Sequence, residues 1–105
     1  KECEKMKIKT IDINAYEWFD KINGNSYFSA VVDINYKLKS WISLKLPFQY
    51  GYGDHYIGES FSALVIELGI KTDLSCWRFC EKNNIILRTN KEENCLKKEV
   101  VNQGI

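Results

Sequence analysis

Apolar and polar residues alternate from Met6 to Ile13, and β-branched side chains dominate, so a strand is predicted there. The alternation slips near Thr10, which predicts a bulge or the strand's end. Asn14-Ala15-Tyr16-Glu17 then matches a capping box, with Asn14 as N-cap and Glu17 at N3. Ala15, Trp18, Phe19 and Ile22 follow at helical spacing, which predicts a short helix stopped by Asn23-Gly24-Asn25. Residues 26–46 predict a hairpin. Phe28, Ala30, Val32, Ile34 and Tyr36 face one side, and Tyr27, Ser29, Val31, Asp33 and Asn35 face the other. Lys37 to Ser40 supply the turn, and Ile42, Leu44 and Leu46 return on the inward side. Pro47 closes that strand because it has no N–H for a ladder. The outward face is left with Tyr27, Val31 and Trp41.

Helical spacing returns at Phe61, Leu64, Val65 and Leu68, so a helix is predicted from Glu59 to Leu68 with Gly69 as its stop. Thr72 or Asp73 caps a second helix, Leu74 to Lys82, whose inward side carries Leu74, Trp77 and Cys80. Ile85 to Thr89 reads as a short strand. Asn90 with Glu93 starts a last helix, Lys91 to Glu99, burying Cys95 and Leu96. The order β-α-β-β-α-α-β-α predicts an α+β fold: a small antiparallel sheet of three to four strands with helices packed on one face. Residues 1–105 read as a single domain. Residues 1–5 read as a flexible N-terminal extension and 101–105 as a flexible tail.

Composition adds exclusions. The formal net charge of +1 gives no global pull towards nucleic acid or membrane. No apolar run is long enough to span a bilayer, and the charged start Lys1-Glu2-Cys3-Glu4-Lys5 lacks the apolar stretch of a signal peptide. Cytoplasmic residence is expected. Cys76 and Cys80 stand at i, i+4 on a predicted helix, an uncommon disulfide geometry. With no second close pair beside Cys3, Cys95 and His55, a zinc site is not expected, and the cysteines read as reduced, buried hydrophobes.

The stretch Leu46-Pro47-Phe48-Gln49-Tyr50-Gly51-Tyr52-Gly53-Asp54-His55-Tyr56 concentrates the candidate chemistry. It holds the chain's only Pro and only His and four aromatic rings. Asp54 beside His55 is the one pair resembling an acid–base couple, but adjacent residues rarely aim at one another and no nucleophile elbow accompanies them. Gly51-x-Gly53 lacks the third glycine and the Lys-Ser/Thr of a phosphate cradle. The aromatics offer π faces to bases, yet no Lys or Arg interleaves them. Arg88, Lys91, Lys97 and Lys98 form a modest basic region that reads as a solvated helix face. A protein partner fits better, with Tyr27, Trp41, Tyr50, Tyr52, Asp54, His55 and Tyr56 as the candidate contact set. No catalytic residue, metal or cofactor is expected.

Four blocks resemble a family of small phage- and prophage-encoded accessory proteins. They are Glu17-Trp18-Phe19-Asp20, Gly24 to Ala30, Leu46 to Gly53 and Glu93 to Val100. The resemblance implies a role such as inhibiting a host defence, for example as an anti-CRISPR protein acting by non-catalytic contact with a bacterial complex. It carries no catalytic residues to transfer. A nucleic-acid-binding accessory module and a small enzyme using His55 and Asp54 are the alternatives.

Overall fold

The computed structural model describes residues 7–105, so the expected 1–5 extension lies outside it. The elements are β1 (Thr10–Asp20), β2 (Asn25–Ile34), β3 (Ile42–Tyr50), α1 (His55–Leu68), α2 (Cys76–Lys82), β4 (Ile86–Glu92) and α3 (Lys97–Gln103). The four strands form one sheet in the order β3-β2-β1-β4. The fold is α+β. The sheet is mixed rather than wholly antiparallel: β1–β2 and β2–β3 are antiparallel, and β4 runs parallel to β1. The direction follows from the path. β3 ends at the far end of the sheet, α1 and α2 carry the chain back, and β4 starts beside the beginning of β1.

The predicted helix at 14–22 is replaced by the second half of β1. Ile11, Ile13, Ala15 and Glu17 keep the two-residue period on the buried side. Ten consecutive residues, Ile11 to Asp20, pair with Ile34 to Asn25 of β2. A cap contributes only about 1 kcal/mol, so an uninterrupted ladder prevails over a local helix signal. Asp20 then closes the hairpin. Its carboxylate accepts from the backbone N–H groups of Ile22 and Asn23 and from the Asn23 side chain, and Gly24 adopts φ 71°. Hydrogen bonding to the Asn23 side chain holds this carboxyl below its ordinary pKa.

The C-terminal elements also shift. β4 continues to Glu92, and the last helix begins at Lys97 instead of Lys91. Its start is marked by the Glu99 carboxylate, which accepts from the Leu96 N–H at 2.8 Å. Residues 101–105 are not a loose tail: α3 runs through Gln103, and Gly104 sits against the Pro47 backbone, where a Cβ would lie 2.7 Å from the Pro47 Cα. This helix packs on the outer face of the sheet. Val100 is fully buried there, and Ser29 Oγ donates to Gln103 Oε1 at 3.0 Å. Helices therefore cover both faces, not one.

The main core lies on the inner face. Ile11, Ile13, Ala15, Phe28, Ala30, Val32, Ile34 and Leu46 of the sheet meet Tyr56, Ile57, Phe61 and Leu64 of α1 and Cys76 and Cys80 of α2. Gly69 ends α1 in the left-handed conformation, as its position predicts. Ser75, instead of Thr72 or Asp73, caps α2 by accepting from the Arg78 N–H.

Beyond β2, Asn35 is fully buried at φ 56° and ties the turn to the first strand. Its Oδ1 accepts from the Lys9 N–H at 2.7 Å, and its Nδ2 donates to the Lys7 carbonyl and to Ser40 Oγ. Asn35→Ala is expected to lower the unfolding free energy by about 1–3 kcal/mol, because these backbone groups lose their partner in a buried setting. Urea denaturation at equal m-value checks this.

Candidate functional site

One end of the sheet gathers the 21–24 turn, the end of β3, the 51–54 loop and the end of β4. Its aromatic rings form a continuous run. Trp18 stacks on Tyr27 at 5.7 Å between centroids, and Tyr27 stacks on Phe48 at 5.1 Å and 8°. Tyr27 also meets Tyr50 edge-on, and Tyr50 meets Tyr52 edge-on at 6.4 Å. A β-bulge makes this possible. Ala30 pairs with Leu46, but Phe28 pairs with Gln49, so β3 carries one extra residue and Phe48 turns to the face of Tyr27. The Lys97 ammonium lies 5.3 Å from the Trp18 centroid and 5.9 Å from that of Phe48, within cation–π range. Trp18, Tyr27 and Phe48 are half-buried, whereas Tyr50 and Tyr52 are 56% and 67% exposed.

The loop that presents Tyr52 is held from beneath. The Gly51 N–H donates to the Ser26 carbonyl at 3.1 Å, and a Cβ on Gly51 would stand 2.6 Å from the Phe28 ring. Only glycine fits at that distance. Gly53 takes φ 61°, and its carbonyl accepts from Lys91 Nζ at 3.0 Å. The same ammonium pairs with Glu17 at 3.3 Å and Glu93 at 3.7 Å, and stands 5.7 Å from the Tyr56 ring centre. Lys91 and Glu17 are both nearly buried. Neither belonged to the expected contact set. Local capping signals predict helix at both, whereas Glu17 lies on β1 and Lys91 on β4.

The expected contact residues divide. Tyr27, Tyr50 and Tyr52 come together. Trp41 lies at the opposite end of β3, about 25 Å away by strand rise, where it packs edge-on against Tyr36 and donates from Nε1 to Asp33. Tyr56 is a core residue of α1, 6% exposed, and is not available as a surface anchor. Asp54 occupies the N-cap position of α1 without a side-chain cap bond. His55 is exposed, edge-on to Phe28, and faces Glu59 at 3.4 Å instead of Asp54. The Asp54/His55 couple is thus not assembled.

Cys76 and Cys80 are free, buried thiols of the core. Hydrogen bonding to Cys80 and burial both push the Cys76 thiol up. Burial likewise raises Cys95, also free. Among the described residues no group of three or more His, Cys, Asp or Glu is placed to hold a metal ion, and no helix is long and apolar enough to cross a membrane. Comparison with known proteins gives no matching family model, no similar curated protein and no similar solved structure.

Proposed function

We propose that the protein is a small binding protein that engages a protein partner through Tyr50 and Tyr52, backed by the Trp18–Tyr27–Phe48 stack, without chemistry of its own. The observation that carries this is the exposure of two tyrosines on a loop pinned by Gly51, Gly53 and Lys91. Rings left in water on a rigid platform have little ordering entropy left to lose on docking, which suits them as interface anchors. With the family resemblance, the partner is a bacterial defence complex, such as a CRISPR effector, that the protein inhibits by contact. Base stacking is the weaker reading, since the exposed carboxylates of Asp54 and Glu93 flank the 51–54 loop that presents Tyr52 and would repel phosphate.

The test is capture of a partner from bacterial lysate by the tagged protein, followed by affinity measurement on the purified pair. Tyr52→Ala is expected to weaken binding by about thirtyfold, which corresponds to ~2 kcal/mol, with the melting temperature nearly unchanged. Trp41→Ala, at the far end of β3, is expected to leave affinity unchanged. Equal affinity for Tyr52→Ala and wild type would remove the loop from the interface.

A further inference from the structure

The carboxylates around the aromatic end are unevenly matched by cations. Glu93 lies 3.7 Å from the Lys91 ammonium that holds the Gly53 carbonyl, so it borders the 51–54 loop. Glu92 precedes it, Asp54 follows Gly53, and Glu59 reaches His55. Glu93 and Glu59 side chains are 62% and 44% exposed, and Glu92 and Asp54 are also exposed. Lys91 is nearly buried and shared between Glu17 and Glu93, so it offsets Glu93 only in part and leaves the other three unmatched. Lys97 lies over Trp18 and Phe48, and the exposed Lys97 and Lys98 are outnumbered at this end by the carboxylates of Asp54, Glu59, Glu92, Glu93 and Glu99. Lys21 sits next to Asp20 in the β1–β2 turn. The opposite end of the sheet carries Lys7, Lys9, Lys37 and Lys39, all exposed. A chain of formal charge +1 is therefore polarised along its strands, with the exposed tyrosines at the acidic end.

Resting on the docking role given above, we propose that the partner's contacting surface is basic: a protein face bearing Arg and Lys. Its guanidinium groups stack on Tyr50 and Tyr52 and its charges meet Asp54, Glu59, Glu92 and Glu93 at the rim. An aromatic centre with a charged rim is ordinary interface anatomy, and Arg favours both the ring face and the carboxylate. Opposite charge across the rim also speeds encounter and makes it salt-dependent.

Two measurements decide it. In the first, Tyr52 is replaced by the photo-cross-linker p-benzoylphenylalanine, the protein is irradiated in bacterial lysate, and the cross-linked partner peptide is sequenced. An excess of Arg and Lys in that segment is expected. An acidic or uncharged segment overturns the basic-partner proposal while leaving docking at Tyr52 intact. Cross-links that form only from a probe at Trp41 overturn the docking role itself. In the second, deca-arginine is titrated into the isotope-labelled protein and followed by NMR. The Tyr52, Asp54 and Glu93 amides are expected to shift together, with affinity falling about tenfold for a tenfold rise in salt. The double variant Asp54→Asn, Glu92→Gln is expected to bind at least about fivefold more weakly. Shifts spread equally over Glu67, Asp73 and Glu81, or the same Tyr52 shifts with a short single-stranded oligonucleotide, would overturn the proposal even if no partner is captured.

Discussion

Leu64→Ala is expected to lower the unfolding free energy by about 2–5 kcal/mol. Leu64 is fully buried at the C-terminal end of the α1 stripe that begins with Tyr56, Ile57, Ser60 and Phe61, and α1 lies over β2 and β3. Truncation removes the transfer energy of the lost methyl and methylene groups. It also leaves a cavity that a sheet on one side and a helix backbone on the other can close only in part. Denaturant unfolding should show a lower midpoint at unchanged slope. Ile66 provides the internal control: it lies on the same helix but is 79% exposed, so Ile66→Ala should change stability by no more than about 0.5 kcal/mol. Equal effects at the two positions would mean that α1 is rotated about its axis.

Much of this fold was legible because period and burial coincide. The 26–46 hairpin forms, and Tyr27 and Trp41 do lie outside the inner face, but β3 runs past Pro47 to Tyr50, and beyond β2 Asn35 is buried while Tyr36 is exposed, the reverse of the alternation. The Phe61/Leu64 stripe and the Gly69 stop are equally plain. The 14–22 region failed because two periods coexist in it. Ala15, Trp18, Phe19 and Ile22 satisfy a helix, while Ile11, Ile13 and Ala15 satisfy a strand. What decides between them is the partner strand β2, which no local window contains. Tyr56 was misplaced for a related reason. α1 begins at His55 and not at Glu59, and one added turn carries that ring from the loop into the core. The candidate site was legible as a composition and not as a geometry. An aromatic-rich connection could be seen, but the bulge that brings Phe48 beside Tyr27 could not. Nor could the Lys91–Glu17 pair, which joins residues far apart in sequence through a parallel strand.

That pair supports the largest expected effect at the site. Lys91→Ala should destabilise the protein by about 3 kcal/mol, the low end for breaking a buried ion pair. Glu17 would keep its charge beside Phe28 in a setting where its side chain is only 11% exposed, and the Gly53 carbonyl would lose its donor. The missing partner, more than the lost attraction, sets this magnitude. The double variant Glu17→Leu, Lys91→Met should therefore recover most of the loss, since similar volume is restored with no unpaired charge. A Lys91→Ala effect under about 0.5 kcal/mol would class the pair with surface ion pairs. Hydrogen exchange separates fold from loop: in Lys91→Ala the Tyr52, Gly53 and Asp54 amides should lose protection ahead of the β1–β2 ladder. Partner affinity should fall in the same variant although Lys91 is nearly buried, because a loosened loop must be ordered again on docking. Affinity that survives intact with the loop loosened would mean that Tyr52 docks as a flexible ring and that rigidity of the platform plays no part in recognition.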